Sequence, residues 1–386
     1  MKVTTVVGTR PEIIKLSRVT AALDAALDHK VIHTGQNYDY ELGTIFYDQM
    51  RLRYPDVQLK GACHRTGRAN TAIEAVGAMM ADLETQFIAL KPDAVLILGD
   101  TNSCVAAAYA AKRLKIPLFH MEAGNRCFDD RVPEEVNRRV VDHLSDINMP
   151  YSERARENLM REGIPTDRVI KTGSPMNEVL RHYEGDIYAS DVLTRLGLKG
   201  NEYFVASIHR EENITQFGIP YGVLDAVASR YGLRILVSTH PRIAGQVHAN
   251  LRDGAGDLYD VCGFKPVVSR LVEFCKPFGF FDYCNLQQNA KCVLSDSGTI
   301  TEESSLLGFP ALNLREAHER PEGSEEGNVI MTGMNVERVL ESIPLADAPS
   351  CTPDDYCSLN VAQKVVRTIL SYTDYVNKNV WRKCAR

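Results

Sequence analysis

Eight times along this chain a short apolar run breaks off into a polar loop. The first half carries GTRPE, HTGQNYD, GDTNS and HMEAG after such runs; the second carries HREEN, THPR, SDSGT and REAHERPEG. Runs such as VTTVV, AVLIL and YFVAS read as strands buried on both faces. Helical patterns alternate with them, for example CVAAAYAAKRL after GDTNS and SERARENLMREG before Gly163. Strands that alternate with helices pair in parallel through crossovers. The expectation is therefore an α/β fold of two Rossmann-like domains, each with a parallel sheet. In such sheets ligands bind beyond the carboxyl ends of the strands. The polar loops should line a crevice in each half, facing a central cleft.

A length of 386 residues suits two domains. VIKTGSPMNEVL (169–180) reads as the connection between them, giving domains at 1–172 and 173–361, with a helical segment at about 362–386. A hydrophobic share of 44% and a charged share of 24% are those of a soluble globular protein. A net charge of −6 gives no global drive toward nucleic acid or an anionic membrane. MKVTTVVGTRPEIIKL lacks the apolar core of a signal peptide, and no apolar stretch reaches the roughly 18 residues of a membrane span. Ten cysteines without a CxxC pair fit buried free thiols in a reducing cytoplasm better than disulfides or a metal site. Neither half contains GxGxxG, which argues against a nicotinamide or flavin oxidoreductase.

Several loops carry groups able to do chemistry, each with a plainer explanation beside it. Ser297, Gly298 and Thr299 open a helix and could offer N–H groups and hydroxyls to an anion, or simply cap that helix. Arg10, Lys15, His209 and Arg210 stand at strand ends where a diphosphate could be clamped, or are surface charges. Asp100 follows a buried strand, as a base with a raised pKa or as a cap for the next helix. The segment HMEAGNRCFDDRVPEEVNRR (120–139) gathers five carboxylates and four arginines. Glu122 ends its strand. Glu134 and Glu135 begin a helix, where acids are favoured by the dipole in any case.

Taken in order, GTRPEIIK, HTGQ, GDTNS, HMEAG, PEEVNR, HREEN, SDSGTITEES and ERPEG resemble the non-hydrolysing UDP-N-acetylglucosamine 2-epimerases. HTGQNYDYEL, NRCFDDRV, IKTGSPM, STHPR and NLREAHERPEG are similar to a narrower group, the 2-epimerases that form UDP-N-acetyl-L-fucosamine from UDP-2-acetamido-2,6-dideoxy-L-talose for bacterial capsule and O-antigen. Relative to the N-acetylglucosamine enzymes, the segment between Glu122 and PEE is shorter, and Thr299 replaces a glycine.

The resemblance implies a two-domain fold of glycosyltransferase-B type, a C-terminal helix packed back on the first domain, and a homodimer. It implies a UDP-sugar substrate and no cofactor or metal. UDP would leave C1 as the C2 proton is removed; the resulting glycal would be reprotonated from the other face and UDP would return. Carried over by motif, Asp100, Glu122, Glu134 and His209 would be catalytic. Arg10, Lys15, Gln36, Arg210, Tyr283, Ser297, Gly298, Thr299, Glu303 and Arg320 would bind substrate, with Glu303 on the ribose and Tyr283 by the uracil. Domain closure would trap the intermediate. Two other classes compete: a glycosyltransferase of the same architecture, separable by its failure to exchange the C2 proton without acceptor, and a non-catalytic UDP-sugar sensor, against which the clustered acids argue.

Overall fold

The computed structural model describes residues 1–36, 43–60, 71–208, 218–238, 270–316 and 320–383. The chain divides into two compact units: Met1–Tyr183 with Asp354–Arg386, and Glu184–Pro353.

The first unit runs β1 (Lys2–Val7), α1 (Arg10–Ala26), β2 (Asp28–His33), α2 (Thr44–Gln49), β3 (Val57–Gln58), α3 (Ala72–Leu90), β4 (Ala94–Leu98), α4 (Asn102–Arg113), β5 (Leu118–Met121), α5 (Pro133–Leu144), β6 (Ile147–Met149), α6 (Glu153–Arg161) and α7 (Met176–His182). Its strands are parallel, in the order β3-β2-β1-β4-β5-β6. Every residue of β4, AVLIL, is buried. Val6, Ile32, Val95, Ile97 and Leu118 form one core face with Leu83 and Phe87 of α3 and the alanines of α4. Small alanine side chains let α4 approach the sheet closely.

The second unit runs α8 (Glu184–Tyr188), α9 (Val192–Leu196), β7 (Tyr203–Ser207), α10 (Gly218–Tyr231), β8 (Arg234–Ser238), β9 (Val272–Cys275), α11 (Phe280–Asn289), β10 (Cys292–Ser295), α12 (Ile300–Leu307), β11 (Ala311–Asn313), α13 (Glu322–Glu325), β12 (Ile330–Met331) and α14 (Val336–Ser342). Its parallel order is β12-β11-β10-β7-β8-β9. Counted from β7, that repeats the order of the first sheet. Alternate residues of each strand point to opposite faces. Phe204, Ala206, Ile235 and Leu294 enter one core, and Tyr203, Val205, Leu236 and Val293 enter another. Both faces are thus covered, as a doubly wound sheet requires.

The segment 169–180 is not a free connection. Met176, Val179 and Leu180 of α7 are buried, Arg18 and His182 approach to 3.2 Å, and the Tyr183 hydroxyl donates to Met50 O at 2.9 Å. The chain passes into the second unit after Tyr183 and returns at Asp354, where the sequence reading put the joins after 172 and 361. α15 (Val361–Asn379) then packs on α1, with Val361, Val365 and Ile369, spaced one turn apart, among its buried residues and Val376 further along. The stretch after β11, expected as one long loop, contains the short helix α13. Cys104, Cys284 and Cys292 are buried thiols as expected, whereas Cys351 and Cys357 are exposed. Among the described residues no helix is long and apolar enough to cross a membrane.

Candidate active site

The strand order of the first unit reverses between β1 and β4, so the turns after these strands flank its crevice. Gly8 follows β1. A Cβ there would lie 2.1 Å from Ser103 Oγ and 2.4 Å from Thr34 Oγ1, so only glycine fits. Those two hydroxyls bond each other at 2.7 Å. Gln36 joins them: its Oε1 accepts Ser103 N at 3.0 Å and Ser103 Oγ at 2.7 Å. The ends of β1, β2 and β4 are thereby tied together. His33 backs this corner, its Nδ1 accepting Gly35 N at 3.0 Å, and burial pushes its imidazole down to about 4.

Asp100 and Glu122 stand at the ends of adjacent parallel strands, β4 and β5. Each faces its own buried cation. Arg138 Nε donates to Asp100 Oδ2 at 2.8 Å. Lys15 Nζ donates to Glu122 Oε2 at 2.6 Å. Lys15, expected beside a diphosphate, therefore meets a carboxylate. Glu122 adopts a φ of 64°, in the left-handed region that a side chain rarely occupies. Such strain persists where surrounding structure imposes it, often at functional sites. Glu134 lies half-buried in the first turn of α5. Asn137 Nδ2 fastens that helix to Asp100 O at 2.9 Å. Arg10 opens α1, with its guanidinium 5.9 Å from the centre of the Phe46 ring.

Glu135, expected as little more than a helix-start charge, is 0% exposed. It accepts Cys127 N at 3.0 Å, Phe128 N at 3.3 Å, Arg138 Nη1 at 2.9 Å and Arg139 Nη2 at 3.3 Å. Burial would raise its pKa; the Cys127 N–H and thiol and the Arg138 guanidinium outweigh that and hold it below the usual range. One carboxylate thus pulls the NRCFDDRV loop onto α5 and shares Arg138 with Asp100. Arg138 is 3% exposed, buried between these two acids. Arg126 anchors the other end of the loop on Asp142 at 2.8 Å and Glu162 at 2.6 Å. Phe128 emerges between these anchors 72% exposed, with φ 55°.

In the second unit the β10–α12 turn carries the remaining candidates. Thr299 Oγ1 donates to Glu303 Oε1 at 2.7 Å, and Gln287 Nε2 from α11 holds Oε2 at 2.9 Å. Ser297 N is taken by Ser295 Oγ at 3.0 Å and Thr299 N by Ser297 Oγ at 3.3 Å. Two of the N–H groups expected to face an anion are therefore used within the turn. Arg320 donates to Gly298 O at 3.3 Å, with Glu302 Oε2 also 3.3 Å away. Tyr283 lies half-buried on α11 against the β7–β10 core. His209 and Arg210 lie outside the described residues.

A family model described as UDP-N-acetylglucosamine 2-epimerase matches residues 21–370. The chain belongs to the UDP-N-acetylglucosamine 2-epimerase family. As a member it is a UDP-sugar 2-epimerase, an isomerase acting on carbohydrate. The UDP-N-acetylglucosamine 2-epimerase of Methanocaldococcus jannaschii is 31% identical over 363 residues, covering 89% of this chain and 92% of that protein. The UDP-2,3-diacetamido-2,3-dideoxy-D-glucuronate 2-epimerase of Pseudomonas aeruginosa is 30% identical over 359 residues, covering 89% and 91%. A solved structure of UDP-N-acetylglucosamine 2-epimerase from Rickettsia bellii matches with a TM-score of 0.87 at 42% identity, covering 99% of this chain and 100% of that one. The M. jannaschii enzyme in complex with UDP-GlcNAc and UDP matches with a TM-score of 0.84 at 29% identity, covering 96% and 100%. The fold of this epimerase is accordingly of glycosyltransferase-B type.

Arg10, Lys15, Gln36, Asp100, Glu122 and Glu134 fall in the first unit; Tyr283, Ser297, Gly298, Thr299, Glu303 and Arg320 fall in the second. Within the first, Lys15 joins Glu122 and Gln36 joins Ser103. Within the second, Thr299 joins Glu303 and Arg320 joins Gly298. Sequence reasoning passed over Gln287, Ser103 and Glu12 altogether. For Glu12 there was a signal, since a Glu three residues after a Thr is a capping-box pattern.

Proposed function

We propose that this epimerase inverts C2 of UDP-2-acetamido-2,6-dideoxy-L-talose to give UDP-N-acetyl-L-fucosamine, supplying a precursor for bacterial capsule or O-antigen. The observation that carries the chemistry is the pair Asp100 and Glu122, on adjacent strand ends and each backed by its own cation. A hydrogen on C2 of an acetamido sugar is not acidic, so its removal has to be coupled to loss of the leaving group. One carboxylate takes the C2 proton; the C–H electrons form a C1=C2 bond as the C1–O bond breaks and UDP departs. The other, present as its carboxylic acid, gives its proton to C2 on the opposite face; the C1=C2 electrons form that C–H bond, and a UDP oxygen re-forms the bond to C1. No net oxidation occurs. Two acid–base groups, one for each face of C2, suit this traffic. Glu134 supports or shares the proton transfer.

Glu303, Ser297, Gly298, Thr299, Arg320 and Tyr283 are the groups we assign to UDP, with His209, Arg210 and Arg10 at the diphosphate, where charge develops as UDP leaves. Lys15 serves Glu122, donating to its Oε2 at 2.6 Å. The 6-deoxy sugar is supported by the shortened NRCFDDRV loop, which Glu135 and Arg126 fix beside Asp100. UDP-N-acetylglucosamine is the second reading, favoured by the relatives that carry that activity. NMR of each UDP-sugar with the protein in deuterium oxide decides between them. Deuterium at C2 with a second epimer identifies the substrate. Exchange with UDP-N-acetylglucosamine alone would overturn the 6-deoxy assignment, and exchange with neither would overturn the carboxylate mechanism.

A further inference from the structure

The first turn of α1 holds a buried carboxylate that this chemistry leaves without a task. Glu12 is 1% exposed. Its Oε2 accepts Gly8 N at 2.6 Å, Thr9 N at 2.7 Å and Thr9 Oγ1 at 3.1 Å. Its Oε1 accepts the Thr101 hydroxyl at 2.7 Å and the Cys104 thiol at 3.4 Å. All five groups donate toward Glu12, the arrangement an acceptor-only carboxylate needs. Burial pushes its pKa up, against the pull of the Thr101 hydroxyl and the Gly8 and Thr9 N–H groups.

Capping α1 would need only the Oε2 contacts, which include the return half of a capping box. The Oε1 contacts reach a different helix, 89 residues on. Thr101 is the N-cap of α4: its hydroxyl accepts Cys104 N at 3.2 Å and gives its own proton to Glu12. One side chain therefore joins the positive ends of two helices, where a negative charge is stabilised twice over. It also joins the two turns that flank the reversal of strand order. Asp100 immediately precedes Thr101, and Arg10 immediately follows Thr9.

We propose that Glu12 is a positioning residue for proton transfer: it locks the Gly99–Asp100–Thr101 turn against the Gly8–Thr9–Arg10 turn, so that Asp100 meets the C2 hydrogen at the required distance and angle. This rests on the assignment of Asp100 to C2. Arg138 holds the Asp100 carboxylate from α5, and Glu12 holds the hydroxyl of the next residue, Thr101, from α1.

The test begins with the wild-type chain, whose C2 exchange in deuterium oxide is measured first; its absence overturns the parent assignment rather than this one. Glu12→Gln keeps the shape but sets an NH2 group against one of the two donor sets, Gly8 and Thr9 or Thr101 and Cys104. The expected result is a kcat about 100-fold lower, the scale of a displacement near 1 Å. KM for the UDP-sugar and Kd for UDP should stay within about threefold, since binding is not what is lost. Glycal and UDP should be released more often per epimerised product, because reprotonation slows while the intermediate waits. An unchanged kcat would overturn the proposal. So would a loss that disappears once rates are normalised to folded protein titrated with UDP, which would mark Glu12 as structural only. If Glu12→Gln fails to fold, Thr101→Val removes the 2.7 Å hydroxyl contact to Oε1, together with the N-cap of α4, and leaves the α1 contacts and the Cys104 thiol in place. The same fall in kcat at constant KM is expected there, and wild-type kcat overturns the idea.

Discussion

Asp100 and Glu122 are both carboxyl groups, held in different company. The guanidinium on Asp100 is a rigid fork shared with Glu135, whereas the ammonium on Glu122 is a point charge on a flexible stem. Asp100→Asn and Glu122→Gln should each lower turnover by about 10²- to 10⁴-fold, the range of a lost general acid or base, with UDP affinity retained. Single-turnover C2 exchange and UDP titration measure the two quantities; near-normal turnover in both would remove the carboxylates from the mechanism. His33 makes a prediction about pH. Its folded pKa of about 4 lies below the ordinary 6.5, so the unfolded chain takes up the proton first. Its contribution is whole above about pH 6.5 and is lost as pH falls toward 4, amounting to about 3 kcal/mol. Urea midpoints between pH 7.5 and 4.5 should fall less steeply for His33→Gln than for wild type. At this scale the sequence showed which residues could do acid–base work. It did not show that Lys15 would choose Glu122, because that choice joins positions 107 apart.

The element that changed most in the folded structure is α5 with the loop before it. Its start at Pro133 was legible, since proline suits a first turn and acids suit the dipole. The difference between Glu134 and Glu135 was not. Adjacent positions on a helix point about 100° apart, so one stays half-exposed and the other turns inward onto the loop. Glu135→Ala would leave Arg138 and two N–H groups without this acceptor. Breaking a buried ion pair of this kind costs about 3–5 kcal/mol. Chemical denaturation should show that loss, and the Cys127 and Phe128 amides should exchange faster in hydrogen-exchange measurements. Unchanged exchange at those amides would mean that Glu135 does not hold the loop. The cap of α4 falls on Thr101, one residue beyond Asp100, which the sequence offered as that cap; both residue types suit the position.

Over the whole molecule, two sheets with one strand order carry different chemistry at their crevices. In the first unit the helix N-termini at the strand reversal converge on an internal carboxylate, Glu12. In the second, the turn before α12 presents hydroxyls, with Glu303 set back on the first turn. UDP should therefore be recognised by the second unit. With the full chain at about 100 times Kd, amides of residues 296–303 should exchange up to about 100-fold more slowly, as the mass action of a native-state ligand requires. Protection confined to the first unit would reverse the assignment. Two Rossmann-like halves were legible in the sequence, but their common strand order was not, because a strand order constrains hydropathy and spacing rather than residue identity.

What the sequence determined by itself was local: buried strands, helix starts, polar loops at strand ends, and an ordered set of motifs specific enough to indicate the family. These follow from side-chain periodicity and turn chemistry within a few residues. What only the tertiary structure decided was partnership. It placed α7 on the first unit, gave Lys15 to Glu122, divided Arg138 between Asp100 and Glu135, and brought Glu12 to Thr101. Each of these contacts satisfies a buried polar or apolar group with a partner far away in the chain. Burial makes such pairing obligatory, but the folded arrangement of strands and helices chooses the partner.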